Sequence, residues 1–132
     1  MKKSLFLVLL MAVISCAAFG QTFKVTEVNS YPGMSQSQIN KSKKFMGTEV
    51  TLTFTDNDVR ASLPDGKGGY KTTLLQKKGN NIYRKSTILG DPNDWDSYDE
   101  IELDTFMGYI RGFTFRHIHH GNFGGGFKAK RK

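Results

Sequence analysis

The sequence predicts an all-β fold, a small antiparallel up-and-down meander of seven or eight strands that closes into a barrel. Short runs of β-branched and aromatic residues recur along residues 21–132, and clusters of Gly, Asn, Asp and Pro separate them. One pair of runs, the central hairpin at residues 48–63, alternates so regularly that its register can be read directly. Closure is favoured over the alternative, a β-sandwich, because a barrel has no exposed strand edges.

In the central hairpin, the alternation and the turn agree. Apolar residues occupy every second position on both sides of an Asp-Asn pair at 56–57, and that pair forms turns readily. If the pair makes the tip, Phe54 lies opposite Val59 and Leu52 lies opposite Ala61. The pattern and the turn therefore select one register.

Residues 1–20 are interpreted as a signal peptide and are excluded from the fold. Two lysines precede the apolar run at 5–14, which is too short to span a bilayer, so no transmembrane segment is expected. Small residues at positions 18 and 20 fit cleavage before Gln21, which predicts an exported protein, periplasmic or secreted. The alternative is a lipoprotein anchored through Cys16, because the four residues that end there resemble a bacterial lipobox.

Cleavage leaves residues 21–132 as a single β domain with no cysteine, and hence with no disulfide. The loss of two lysines lowers the formal net charge from +7 to +5. An exported protein rarely meets nucleic acid, so no nucleic-acid partner is expected. The basic surplus is interpreted as a solvated surface that can also touch anionic lipid or polysaccharide.

A short helix is predicted near residues 35–46. Ser35 and Gln38 have the spacing of a capping box, and Gly47 is placed to end the helix. The alternative is a polar loop between strands. The other strands are predicted at residues 22–28, 70–77, 82–89, 98–104 and 109–118, with a flexible segment at 121–126 and a short edge strand at 127–132.

The register of the pair 70–77 and 82–89 stays open. The apolar residues of this pair do not fall on one face for any loop length, which a bulge or two-sided burial would explain; they are Leu74, Leu75, Ile88 and Leu89. In strand count and order the predicted barrel resembles the calycin-like and lipocalin-like barrels. The sequence contains neither an internal repeat nor a sign of a second domain.

The candidate ligand site is the strand that contains Tyr109, Arg111, Phe113, Phe115 and His117. These residues share one face by the two-residue period of a strand. If that face points inward, one guanidinium among aromatic rings suits a small hydrophobic or anionic ligand. The alternative is that the two phenylalanines are ordinary core and that Arg111 extends out at the rim.

The turn after Asp104 decides between these alternatives. A three-residue turn places Ile101 opposite Phe113 and directs the phenylalanines inward. A two-residue turn pairs Leu103 with Ile110 and directs them outward. The sequence leaves this choice open.

No metal, cofactor or catalytic role is expected. His117 and His119 project from one face and are the only metal-ligand candidates, but a tight zinc or copper site needs more protein ligands. The acidic run at 91–104 departs from the EF-hand pattern and is explained as a loop followed by the solvent face of a strand. The chain has no nucleophile elbow, metalloprotease motif or phosphate-binding loop.

These observations predict an exported, non-enzymatic binding module of the bacterial cell envelope, for a small hydrophobic or anionic ligand. The alternative is a structural or interaction protein that contacts an envelope protein or glycan. In that case the barrel would be filled by its own side chains, and aromatic residues around Trp95 and Tyr98 would form an exposed patch.

Overall fold

The computed structural model describes residues 20–65, 67–87 and 95–132. Within these ranges, eight antiparallel strands follow one another around a closed up-and-down barrel, and one short helix lies between the first two strands. The predicted barrel is confirmed. The strands are β1 Gln21–Asn29, β2 Glu49–Phe54, β3 Asp58–Pro64, β4 Tyr70–Gly79, β5 Ile82–Ser86, β6 Tyr98–Phe106, β7 Tyr109–His119 and β8 Asn122–Arg131.

The barrel has two distinct ends. The tight β2–β3, β4–β5 and β6–β7 turns lie at one end, the hairpin end. The β1–β2 connection, which contains the helix, lies at the other, the helix end, together with the β3–β4, β5–β6 and β7–β8 connections. Nearly all of the predicted signal peptide lies outside the described residues. No helix in the described part of the chain is both long and apolar enough to cross a membrane.

The central hairpin has the predicted register. Phe54 pairs with Val59 and Leu52 pairs with Ala61. The side chains of Leu52, Val59 and Ala61 are fully buried, whereas Phe54 is half-buried and packs edge-on against Tyr83. Alternation and turn chemistry were sufficient to predict this pair because no bulge interrupts it.

The predicted helix is confirmed as α1, Gln36–Ser42, followed by a 3-10 turn at Lys43–Phe45. Its capping box is complete: Gln38 N–H donates to Ser35 Oγ at 3.2 Å, and Ser35 N–H donates to Gln38 Oε1 at 3.1 Å. Gly47 follows with a φ of 79° and donates its N–H to the carbonyl of Val25. The helical segment is thereby attached to the middle of β1.

The undetermined β4–β5 pair contains the bulge that the sequence suggested, between Lys77 and Gly79. Leu75 is fully buried and Leu74 is 47% exposed, so adjacent leucines lie on opposite faces. Ile88 and Leu89 fall outside the described residues. The β4–β5 pairing runs only as far as Gln76 and Arg84 toward the helix end.

The C-terminal prediction needs correction. Residues 121–126 were expected to be flexible and 127–132 to form an edge strand, but β8 begins at Asn122 and pairs with both β7 and β1. This double pairing closes the barrel. Glycine allows it, because a Cβ on Gly126 would lie 2.0 Å from the carbonyl oxygen of Phe115.

The core fills the middle of the barrel and the half toward the hairpin end. Phe113 is 2% exposed and lies edge-on to Phe23 at 5.2 Å and to Phe127 at 5.9 Å between ring centroids. Inward residues of all eight strands complete it: Phe23, Val25, Val50, Leu52, Val59, Ala61, Leu75, Tyr83, Ile101, Leu103, Phe113, Phe127 and Ala129.

Candidate functional site

At the helix end the barrel interior is not filled. A cavity of about 1030 Å³ lies above the core and opens to solvent. Its base includes the rings of Phe115 and Phe127, which stack at 5.2 Å with an interplanar angle of 21°. These two residues are direct partners in the β7–β8 ladder, so the alternation of both strands directs their rings inward.

One side of the cavity is apolar. Strands β1, β3, β7 and β8 contribute four of its side chains, and the connection that contains α1 contributes two. The residues are Val28, Met34, Phe45, Leu63, Phe115 and Phe127. This side can cover the apolar part of a ligand.

The other side of the cavity is polar and carries two lysines. Lys71 and Thr73 lie on the same face of β4 as the buried Leu75, and Lys85 follows Tyr83 by two positions on β5. Lys85 Nζ donates to Thr73 Oγ1 at 3.2 Å. Within the described residues, neither lysine forms an ion pair with a carboxylate.

The carboxylates that line the cavity are already engaged. Asp99 and His117 are partners across β6 and β7, and His117 Nδ1 lies 2.7 Å from Asp99 Oδ1. Because an ionised carboxylate can only accept, Nδ1 donates, and Nε2 has no hydrogen-bond partner among the described residues. Asp65 Oδ1 accepts the N–H groups of Lys67 and Gly69 within its own turn. Among the described charged side chains that line the cavity, Lys71 and Lys85 are therefore the ones without a carboxylate partner.

A glycine segment, Gly124–Gly126, forms part of the rim on β8. A Cβ on Gly124 would lie 3.0 Å from Cδ2 of the His117 ring, and Gly125 has a φ of 103° that favours glycine. The β7–β8 register shifts between Arg116 and Ile118, beside this segment. Because Gly124–Gly126 have no side chains, this part of β8 leaves room for the His117 ring at the cavity.

The five residues predicted to share a ligand site lie in three places. Phe115 and His117 line the cavity, and Phe113 is buried in the core below it. Tyr109 is 52% exposed at the hairpin end, and Arg111 Nη2 donates to Asp104 at 3.1 Å on the outer surface there. The expectation that Tyr109 and Arg111 face the interior beside Phe113 is therefore corrected.

A bulge explains this correction. Thr105 pairs with Ile110, but Asp104 pairs with Gly112, so Arg111 has no partner in the register. The turn has two residues, Met107 and Gly108, which by itself would direct the phenylalanines outward. Arg111 is an extra residue on β7, and it shifts the strand by one position, so that the phenylalanines point inward. The resulting pairs are Leu103 with Phe113 and Ile101 with Phe115, which neither predicted turn produces.

The two histidine candidates gain no further metal ligand. The rings of His117 and His119 stack with centroids 6.2 Å apart. In residues 20–65, 67–87 and 95–132, no group of three His, Cys, Asp or Glu side chains is placed to hold a metal ion. His117 is instead engaged with Asp99.

Sequence reasoning missed Lys71, Thr73 and Lys85. Lysine is usually exposed, and both lysines are exposed at the cavity mouth, so residue type alone did not distinguish them from other surface residues. A usable signal was present in their spacing: residues 71 and 73 share a face with Leu75, and residue 85 shares one with Tyr83. A lysine on the same face as a core residue, near a strand end, indicates the mouth of a barrel.

Fold and cavity together define a class of protein: a small closed antiparallel barrel with an internal cavity at one end. Comparisons with protein-family models, curated proteins and solved structures find no match to this chain. The function is therefore argued from the cavity alone.

Proposed function

We propose that this protein is an exported, non-enzymatic binding module of the bacterial cell envelope, and that its cavity holds a small amphipathic ligand with an anionic group. The observation that carries the proposal is a cavity with an apolar side that faces two lysines, Lys71 and Lys85, neither of them in an ion pair with a described carboxylate.

The size of the cavity supports a small organic ligand. Ligand pockets have volumes of roughly 300–1,000 Å³ and are mostly apolar, with a few polar groups that fix orientation. The volume here, about 1030 Å³, lies at the upper end of that range. Stacked Phe115 and Phe127 at the base would contact the apolar body of the ligand.

The lysines determine the sign of the ligand charge. Both lysines are exposed at the mouth of the cavity, where their ammonium groups attract an anion and repel a cation. The bond from Lys85 to Thr73 holds its Nζ near the polar side, where a carboxylate, sulfate or phosphate oxygen can accept from both residues. We therefore place the anionic group between β4 and β5.

His117 is the further polar side chain that we assign to ligand binding. Within the described chain its ring has one hydrogen-bond partner, Asp99, which orients the ring at the cavity. Its Nε2 can then accept a hydrogen bond from a ligand.

The test is titration of the purified protein with a dansyl-labelled medium-chain carboxylic acid, whose fluorescence rises in an apolar site. Lys85→Met keeps the aliphatic stem and removes the charge, and we expect it to weaken binding about tenfold or more, as for a charge-assisted hydrogen bond. Lys128→Met is the matched control, because Lys128 is exposed on β8 and does not line the cavity. Absence of saturable binding by the wild type, or equal affinity in both variants, contradicts the proposal.

The interaction protein with a filled barrel has less support. The aromatic pair Trp95 and Tyr98 is partly covered by cations: Lys78 Nζ lies 4.2 Å from the Trp95 ring and the Arg84 guanidinium 4.7 Å from the Tyr98 ring. Failure of the probe titration, together with capture of a protein or glycan by the intact chain, would favour that alternative.

A further inference from the structure

The tip of the β6–β7 hairpin, Phe106–Tyr109, presents apolar side chains to solvent. Met107 is 91% exposed, Phe106 is 55% exposed and Tyr109 is 52% exposed. The tip lies at the hairpin end, on the far side of the core from the cavity. The binding site described above does not use it.

Methionine at the first position of this turn is not a residue that folding stability alone would favour. Met107 has a φ of 52° and Gly108 a φ of 77°, as in the two-residue turns that join twisted strands. Gly is preferred at the first of these positions because it has no Cβ, and Asn or Asp because their short polar side chains tolerate a positive φ. Methionine adds an exposed apolar side chain to the strain of a positive φ, and such a departure from local preference often marks a functional site.

Cationic side chains surround the tip. The Arg111 guanidinium lies 5.3 Å from the centroid of the Phe106 ring, and the Arg131 guanidinium lies 4.5 Å from that of Tyr109. Arg111 pairs with Asp104, whereas Arg131 has no carboxylate partner within the described part of the chain. Lys130, next to Arg131 on β8, is also exposed. The tip is thus apolar and carries two guanidinium groups, one paired with the exposed carboxylate of Asp104 and one, that of Arg131, without a described carboxylate partner.

We propose that the hairpin tip docks on an anionic lipid bilayer, with Phe106, Met107 and Tyr109 in the interfacial layer and Arg131 against the phosphate groups. Aromatic rings with a polar edge favour that layer, and basic side chains near it are attracted to anionic headgroups. A protein partner is less favoured, because a stable interface needs about 800 Å² on each side. Three side chains on a convex tip provide well under that area.

The orientation that follows keeps the cavity accessible. With the hairpin end on the bilayer, the helix end and the mouth of the cavity face away from it. Docking and ligand binding would then be separate properties of opposite ends.

The test is co-sedimentation with vesicles of phosphatidylcholine alone and of phosphatidylcholine with an equal amount of phosphatidylglycerol. We expect the wild type to prefer the anionic vesicles, and Met107→Asn to lower the partition coefficient about tenfold, because one inserted side chain is lost. Asn tolerates a positive φ, so this variant should fold at least as well as the wild type. Arg131→Gln should lower partitioning about fivefold and weaken its salt dependence.

Leu74→Asn is the matched control, because Leu74 is also an exposed apolar residue, 47% exposed, but lies on β4 away from the tip. Intact mass must show the same N-terminus in every sample, so that differences report the tip. Equal partitioning of Met107→Asn and Leu74→Asn overturns the proposal, as does the lack of any preference for anionic vesicles. Cross-linking of the tip to a protein without vesicle binding would also overturn it, in favour of a protein interface.

Discussion

Gly126→Ala tests the close approach of β7 and β8 that closes the barrel. An ideal Cβ at this position lies 2.0 Å from the carbonyl oxygen of Phe115, 3.0 Å from its carbonyl carbon and 3.1 Å from Cα of Arg116. All three atoms belong to the backbone, so no side chain can rotate away. A methyl carbon and a carbonyl oxygen tolerate about 3.3 Å, and the strands must therefore separate locally by about 1.3 Å.

The expected loss of stability follows from that separation. A ladder bond near 2.9 Å would lengthen beyond hydrogen-bonding range. Loss of two such bonds, with their groups left partly buried, costs about 2–4 kcal/mol. Against this, alanine restricts the unfolded chain and recovers about 0.4–1 kcal/mol. We expect a net loss of about 2–3 kcal/mol, or roughly 8–12 °C in Tm for a domain of this size.

Urea unfolding monitored by far-UV circular dichroism measures this difference. Gly79→Ala is the matched control, since its Cβ meets only Cβ of Ile82 at 3.9 Å, an ordinary contact. That variant should be neutral or slightly more stable than the wild type. If Gly126→Ala unfolds within about 0.5 kcal/mol of the wild type, the inferred approach of the two strands is wrong.

Three further predictions concern the core, a buried phenol and export. Phe113→Ala should lower the free energy of unfolding by about 3–5 kcal/mol in a denaturant titration, whereas Thr114→Ala on the opposite face should cost under about 1 kcal/mol. Burial raises the pKa of Tyr83 above 10.0 in the folded state. As the pH rises, the unfolded chain therefore releases this proton first, and the free energy of unfolding should fall above pH 10.0. Tyr83→Phe should remove this part of the pH dependence. Intact mass should give a mature chain beginning at Gln21, and a diacylglyceryl-modified chain beginning at Cys16 would refute that assignment.

The fold was predictable wherever local chemistry and strand period agreed. The register of β2 and β3 followed from alternation because no bulge separates Phe54 from Val59. The capping box at Ser35 is equally local, and it formed as its spacing indicated. Such features depend on a few neighbouring residues, and tertiary packing only reinforces them.

The candidate site was only partly predictable, because a bulge adds one residue to a strand and so exchanges the residues that face inward with those that face outward. Arg111 is the extra residue of the bulge in β7, so its side chain does not share the face of Phe113. Nothing in the sequence marks the position of this bulge. Phe115 and His117 were found because they lie beyond the bulge on a regular stretch. Lys85 was missed because it was interpreted as a surface residue on the ground that it is a lysine. Its position, two residues after Tyr83 on β5, was not considered.

The glycine-rich start of β8 shows a second limit of sequence reasoning. Gly124–Gly126 suggests flexibility by composition, since glycine loses the most conformational freedom on folding. In the barrel, Gly126 pairs with Asn29 on β1 and with Arg116 on β7, and only glycine allows β7 to approach so closely there. Composition describes the isolated segment, whereas the closed sheet decides its conformation.

The seam between β1 and β8 also has a kinetic consequence. It joins distant parts of the chain, as in the bond from the Thr26 hydroxyl to the Lys128 carbonyl, 102 positions away. Loop closure over that distance is entropically slow, and high contact order predicts folding in milliseconds to seconds. During synthesis from the N-terminus, β1 emerges first, and the edge that β8 will cover stays unpaired until β8 follows. The nascent chain is therefore most prone to aggregate just before its last strand is delivered.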